Sequence, residues 1–147
     1  MKKILSSFIL AAFLFAQMEN YQRIQSKRQQ IWNFYNQALT KWASENGVRL
    51  PIIPEYCEQP YHMFYLLLPD LEKRQNFIAY LKSKGIFTVF HYLPLHLSVM
   101  GLKYGGKPGD CPVTEMISDQ LVRLPMHFEL TNSDLEQVVD AITSFHM

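Results

Sequence analysis

The sequence contains few cysteines, few charges and no internal repeat, and each absence narrows what the protein can be. Two cysteines in 147 residues, Cys57 and Cys111, are too few for a disulfide-stabilised scaffold. They form no CxxC pair and no Cys/His cluster, which argues against a zinc site. The formal net charge is +1, so composition gives no support for nucleic-acid binding, which needs clustered basic side chains. With 48% hydrophobic and 18% charged residues, the chain is typical of a globular domain.

The N-terminal apolar segment has two interpretations. Lys2 and Lys3, an apolar run and then Ala16 resemble a secretory signal peptide. Cleavage after Ala16 would, however, place Leu14 where signal peptidase favours a small residue. The run is also shorter than the roughly 20 apolar residues of a transmembrane span. We therefore interpret it as a signal-peptide lookalike and expect a cytoplasmic protein, with export of a small protein as an open alternative.

The competing interpretation is one long amphipathic helix from about Ser7 to about Glu45. Ser6 or Ser7 would cap its start, and Asn46-Gly47 would end it. Apolar residues recur at three- and four-residue spacings, which predicts one face turned toward a core. They are Leu10, Phe13, Leu14, Met18, Tyr21, Ile24, Ile31, Tyr35, Ala38 and Trp42.

The rest of the chain alternates predicted strands and helices. Asp70 is placed to cap a helix over 71–84, which Gly85 would end. Pro112 suits the first turn of a helix running to about residue 120. Thr131 and Asp134 approximate a capping box for a last helix to about residue 145. Strands are predicted over 61–68, 86–90 and 121–126, so the fold class is α/β with a sheet of about three strands.

The stretch Gly85–His96, GIFTVFHYLPLH, is the most informative. Its β-branched and aromatic run predicts a buried strand over 86–90. Pro94 ends that strand, and His91, Tyr92 and His96 follow it on a stiffened loop. Polar rings at the end of a buried strand are a common arrangement at the edge of a cleft.

HYLPLH, the later segment CPVTEMISDQLVRLPMHFELTNSDLEQVVDAI and the stretch Leu10–Glu19 resemble the C-terminal part of the DegT/DnrJ/EryC1/StrS family. These are pyridoxal-phosphate (PLP)-dependent sugar aminotransferases of fold type I. The resemblance implies a long connecting helix over 1–46 and a C-terminal α/β small domain over 47–147. It also implies an N-terminal segment packed on the body, and imidazoles at a cleft rather than in the core.

For function, the resemblance implies that His91, Tyr92 and His96 bind a sugar nucleotide in a complete enzyme. That enzyme would convert dTDP-4-keto-6-deoxyglucose to a 4-amino sugar with glutamate as donor, in cell-surface polysaccharide biosynthesis. The family holds PLP on a lysine of its N-terminal large domain. None of the lysines here has a matching context, so we expect a truncated chain without catalytic or cofactor-binding residues, inactive alone. Its partner would be a large PLP domain or a second copy.

The sequence leaves room for other interpretations. A non-catalytic α/β interaction domain is the alternative function. Gly101–Lys107, GLKYGGK, almost matches a phosphate-binding loop, but Pro108 occupies the magnesium-ligand position, so we interpret it as a chance match. His91 and His96 lack a third ligand for a metal. Two histidines that lie in no motif, His62 and His127, are expected to be structural. The same is expected of Cys57 and Cys111, which lack a nearby base that would make either a nucleophile.

Overall fold

The computed structural model describes residues 2–146, with side chains from residue 9 onward. Within that part of the chain it has a three-stranded sheet flanked by helices, which confirms the α/β class. The helices are α1 (Lys2–Glu19), α2 (Tyr21–Glu45), α3 (Leu71–Ser83), α4 (Val99–Lys103), α5 (Pro112–Gln120) and α6 (Asn132–Thr143). The strands are β1 (Tyr65–Leu67), β2 (Val89–Phe90) and β3 (Leu121–Arg123).

The core forms between α2, α6 and one face of the sheet. Helix α2 contributes Ile31, Trp32 and Tyr35 at helical spacing, all buried. They meet buried sheet residues such as Leu66 and Val122, both fully inaccessible. Burying each such side chain stabilises the fold by roughly 1.5–3 kcal/mol. The second half of the predicted long helix is therefore confirmed as a core element, although Ala38 is exposed and Leu39 is buried in its place.

The prediction of one continuous helix from Ser7 to Glu45 is wrong. The helix breaks at Asn20, and the first part begins at Lys2 rather than at a serine cap. The Asn20 side-chain amide donates to the carbonyl of Ala16 at 3.0 Å. This local bond stabilises the turn at the junction, in the way that asparagine side chains commonly compete with helical backbone bonds.

The expected packing of the N-terminal apolar segment on the body is also wrong. Phe13, Leu14 and Met18 are each at least 59% exposed. Leu10 and Tyr21, predicted for the same face, are exposed too. No other described element covers this segment, so its periodicity has no core to face. Within the described residues, no helix is both long and apolar enough to cross a membrane.

The sheet has the strand order β1-β3-β2, and β3 pairs antiparallel with both neighbours. Strands β1 and β2 are consequently parallel to each other, separated by the last strand in sequence. Arg123 lies at the centre of the register, opposite Tyr65 on one side and Val89 on the other. Beyond β1, Arg49 forms a single antiparallel bridge with Leu67.

The predicted strand over 86–90 is shorter and more exposed than its composition indicates. Only Val89 and Phe90 form β2, and they are 52% and 45% exposed. Ile86 and Thr88 are buried whereas Phe87 is 74% exposed. This alternation is that of an edge strand with one face packed and the other open. The predicted first and third strands also shrink, to the three residues each of β1 and β3.

The helix ends were predicted more accurately. The Asp70 carboxylate accepts a hydrogen bond from the Lys73 amide at 2.8 Å, which confirms the cap of α3. Gly85 has a φ of 77°, a left-handed conformation that favours glycine after a helix. Thr131 and Asp134 form the reciprocal bonds of a capping box at the start of α6.

Replacement of Tyr35 by phenylalanine tests how α2 is tied to the segment after β3. The Tyr35 hydroxyl donates to the Pro125 carbonyl at 2.9 Å, and burial raises the pKa of this phenol far above its usual range. Because the partly buried Pro125 carbonyl loses a donor, Tyr35→Phe should lower the free energy of unfolding by roughly 1–2 kcal/mol in urea denaturation. Tyr104→Phe, at an 82% exposed site, should change it little. Equal effects of the two changes would contradict this account.

Candidate functional site

A shallow groove lies where the HYLPLH loop, residues 91–96, meets α5. Its volume is about 360 Å³. One wall is formed by the start of the loop, including His91 and Tyr92, and the other by the outward face of α5. The lining residues are His91, Tyr92, Leu93, Pro94, Leu95, Val113, Thr114, Ile117 and Ser118.

His91 and Tyr92 form one aromatic unit at the rim of this groove. Their rings stack with centroids 3.9 Å apart, and the peptide bond between them is cis. Arg123 lies beside both: its Nη1 is 2.9 Å from His91 Nδ1 and 3.5 Å from the Tyr92 hydroxyl. Desolvation lowers the pKa of His91, and the nearby charges of Arg123 and His62 lower it further. The site thus combines two stacked rings with a guanidinium from the central strand.

The backbone of the loop is held from α5 at its first end. Ser118, a buried residue, donates from Oγ to the Tyr92 carbonyl at 2.6 Å. Arg74 of α3 is also buried; its Nη1 lies 3.4 Å from the Ser118 carbonyl and its guanidinium is 5.0 Å from the centre of the Phe90 ring. Burial lowers the pKa of Arg74, and nearby Asp119 opposes that shift. These contacts fix the position of the Tyr92 backbone.

The second end of the loop is held by Glu115, one helical turn before Ser118. Its Oε1 lies 2.8 Å from His96 Nε2. The same carboxylate accepts from the amide of Gly109 at 2.9 Å and from that of Cys111 at 3.4 Å. The bond to His96 is the main cause that lowers the pKa of Glu115, and the two amides lower it further. One carboxylate therefore joins the loop, the glycine-rich segment and the start of α5.

The glycines of GLKYGGK allow this segment to approach the loop closely. A Cβ atom at Gly101 would overlap the carbonyl oxygen of Leu95, and one at Gly106 would overlap that of His96. The Gly106 amide donates to the Gly101 carbonyl at 3.0 Å. In the described chain α5 begins at Pro112, so no helix starts at Lys107 as a phosphate-binding loop would need. The glycines are explained by close backbone packing.

The structure brings only two of the three candidate site residues into the groove. His91 and Tyr92 line it, whereas His96 points its ring to Glu115 and is not part of the lining. Neither imidazole lies in the core cluster, as the sequence predicts. Substrate binding by all three stays a prediction. Among the described residues, no three His, Cys, Asp or Glu side chains come together as a metal site would require.

Sequence reasoning missed the residues that support the loop. Arg74 lies in α3, far from the loop in sequence. Glu115, Ser118 and Arg123 lie in α5 and β3, within the segment that resembles the family, but the sequence alone indicates no contact of theirs with the loop. One feature of the sequence does connect two of these residues. Glu115 and Ser118 are three residues apart, which puts both on one face of α5. That spacing alone says nothing about what the face contacts.

Replacement of Glu115 by glutamine should loosen the second end of the loop. The variant keeps an acceptor oxygen but loses the charge that strengthens the bonds to His96 and the two amides. We expect faster amide exchange at Gly109 and Cys111, and lower stability at pH 7. Because the pKa of Glu115 is lowered by folding, its contribution is present above the ordinary value of about 4.3 and is lost as pH falls through the folded value.

The stability difference between wild type and Glu115→Gln should therefore shrink below about pH 4. Urea unfolding measured from pH 3 to pH 7 checks this. Glu129→Gln is the matched control, since Glu129 is exposed. A difference that persists at pH 3, or that is equal in the control, would rule out the role given to Glu115.

Comparison with known proteins places this geometry in a family. Residues 7–143 match the model of the DegT/DnrJ/EryC1/StrS aminotransferase family. An uncharacterized protein of Methanocaldococcus jannaschii is 28% identical over 131 residues, which are 86% of this chain and 33% of the relative. The chain thus spans about a third of the length of that relative.

Solved structures agree with the family match. A DegT DnrJ EryC1 StrS aminotransferase from Brucella abortus has a TM-score of 0.77 at 28% identity, covering 92% of this chain and 35% of that one. DesV of S. venezuelae, solved in complex with a ketimine intermediate, has a TM-score of 0.81 at 25% identity, covering 90% and 34%. Neighbouring structures of this fold include PLP and PMP forms.

The matched range includes most of the exposed helix α1 as well as the groove and its supports. The N-terminal segment is exposed, contrary to the prediction from sequence. Most of it nevertheless lies within the range that matches the family. The chain belongs to the DegT/DnrJ/EryC1/StrS aminotransferase family.

Proposed function

We propose that this chain is the part of a nucleotide-sugar aminotransferase that contributes the HYLPLH loop to the sugar-nucleotide pocket. The substrate would be dTDP-4-keto-6-deoxyglucose or a close relative, and glutamate would be the amino donor. His91 and Tyr92 would contact the nucleotide sugar directly. His96 would contribute by holding the end of the loop through Glu115.

The observation that carries this proposal is the donor cluster at the rim of the groove. Arg123 and the hydroxyl of Tyr92 can both donate hydrogen bonds, and the stacked rings of His91 and Tyr92 offer an apolar face. Donors beside an aromatic surface suit a ligand with phosphate or sugar oxygens and a flat base or ring. The groove is shallow, which fits one wall of a pocket whose other wall comes from another part of the enzyme.

The lining of the groove does not fit the PLP group itself. No lysine lines the groove. Lys82 and Lys84 at the end of α3, Lys103 at the end of α4 and Lys107 in the glycine-rich segment are all exposed. The cofactor, where the full-length family binds it, supplies an electron sink for the transfer of the amino group. In this proposal its lysine comes from a large domain outside the described residues, and the present chain binds and orients the sugar nucleotide.

The large exposed surface of the chain supports the proposal that it binds a large partner. Its accessible area is 10479 Å² for a mass of 17.3 kDa. A compact monomer of this mass exposes on the order of 7,800 Å², so the chain exposes about a third more. Apolar side chains contribute to this exposed area: Leu93, Leu95 and Val113, which line the groove, are each more than half exposed. Exposed apolar patches of this kind mark interaction surfaces.

Binding of thymidine diphosphate tests the role of the groove. Addition of the nucleotide to the labelled chain should move the NMR signals of the loop and of α5. Tyr92→Phe keeps the stacked ring but removes the hydroxyl, so it should weaken binding by roughly three- to tenfold, the cost of one hydrogen bond. Tyr104→Phe should bind like wild type. Signals that move only outside residues 91–96 and 112–120 would refute the proposed pocket.

An absorbance spectrum with added PLP tests whether the lysine that binds the cofactor lies outside this chain. Because no lysine lines the groove, we expect no internal-aldimine band from this chain alone. The band should appear only when a large domain carrying the lysine is supplied in trans. An aldimine band in the isolated chain that disappears on changing one of its lysines would overturn this part of the proposal.

The exposed face of α1 favours one alternative, a non-catalytic interaction domain. Ile9, Phe13 and Phe15 are each more than half exposed on this helix, and such a surface would drive association. Size exclusion with and without a co-expressed PLP domain separates the two functions. Self-association that is unchanged by the PLP domain favours the alternative, and a heteromeric complex favours the aminotransferase.

A further inference from the structure

We propose that Arg123 is a positioning residue that holds His91 as a neutral hydrogen-bond donor, with its proton on Nε2. Arg123 lies in the segment that resembles the family, but the sequence alone indicates no role for it. The identity of the ligand rests on the proposed function. The present inference adds the chemistry of the contact between His91 and that ligand. His91 would donate to an acceptor oxygen of the sugar nucleotide and would not serve as a base.

The assignment follows from what an arginine side chain can do. Guanidinium nitrogens only donate hydrogen bonds and stay protonated at all ordinary pH values. Nη1 of Arg123 lies 2.9 Å from Nδ1 of His91, so Nδ1 must accept. In a neutral imidazole the nitrogen that accepts is the one without hydrogen, and the proton is therefore on Nε2. The bond to Arg123 uses Nδ1, so it leaves the proton on Nε2 for a ligand.

The surroundings oppose protonation of His91. A proton on Nδ1 would break the bond to Arg123 and set two positive groups against each other. The charged or titratable groups that face the ring are Arg123 from β3, His62 from the segment before β1 and Tyr92 on the loop. None of these is a carboxylate, and the pKa of His91 is lowered by burial and by the first two. The geometry and the electrostatics agree on a neutral ring.

The position of Arg123 in the sheet makes it suited to this role. It lies on the central strand, between Tyr65 and Val89 in the register, and is half-buried. A side chain that starts from the middle strand varies less in position than one on a loop. His91, two residues after Val89, is reached directly from this strand.

Imidazole ¹⁵N NMR of the full chain tests the proposal without any ligand. The His91 signals are assigned with His91→Gln. In wild type they should show the Nε2–H tautomer at neutral pH and a titration midpoint below that of a free histidine. Arg123→Met keeps most of the aliphatic stem but removes the donor and the charge. It should raise the midpoint and populate the Nδ1–H tautomer measurably.

Two further variants make the result specific. Arg123→Lys retains a charged donor and should stay near wild type. Arg49→Met is the matched control, since it removes an arginine that bonds Gln120 at 2.9 Å and lies beyond β1, at the edge of the sheet opposite to β2. It should leave His91 unchanged. A wild-type His91 protonated on Nδ1, or a midpoint that does not rise in Arg123→Met, would overturn the inference.

The same NMR experiment with added thymidine diphosphate tests this inference separately from the proposed function. Thymidine diphosphate should shift the Nε2–H signal of wild-type His91 and leave its tautomer unchanged. If the tautomer behaves as expected and the nucleotide moves no loop signal, Arg123 retains its role and the sugar-nucleotide assignment fails. If the nucleotide binds the loop but His91 is in the other tautomer, the inference fails and the proposed pocket stands.

Discussion

Packing of α2 and α6 against one face of the sheet is the interaction on which the rest of the structure depends. The three strands contain only eight residues in total, and so small a sheet is not stable by itself in water. Leu66 and Val122, paired across β1 and β3, lie at zero exposure under these helices together with Tyr35. The sheet therefore depends on packing against these helices for its stability.

That one-sided packing determines where a binding site can form. Leu66 and Val122 face the core helices. Alternation along the strands turns Arg123 and Val89 to the other face, where both are at least partly exposed. The loop after β2 continues onto this open face and is held there by two side chains of α5. The chemistry of the groove thus comes from residues that the core does not use.

The sequence predicted best what is decided locally. The Asp70 cap, the capping box at Thr131 and the glycine after α3 depend on neighbouring residues alone, and all were confirmed. The burial of residues 86–90 and of α1 was predicted wrongly because apolar composition indicates a buried face without saying what covers it. The partner of His96 could not be predicted, since it depends on how α5 lies against the loop. Family membership came from the HYLPLH and C-terminal segments taken together, and the matched range of 7–143 confirms it.

The order of the strands has a consequence for synthesis of the chain. The strand that joins β1 and β2 is the last to leave the ribosome, so neither of the first two can pair until residues 121–123 are available. Such delayed, long-range pairing slows folding and leaves apolar strand residues exposed meanwhile. Any nascent or proteolysed fragment that stops before residue 121 would lack the hub of the sheet, and we expect such fragments to depend on chaperones.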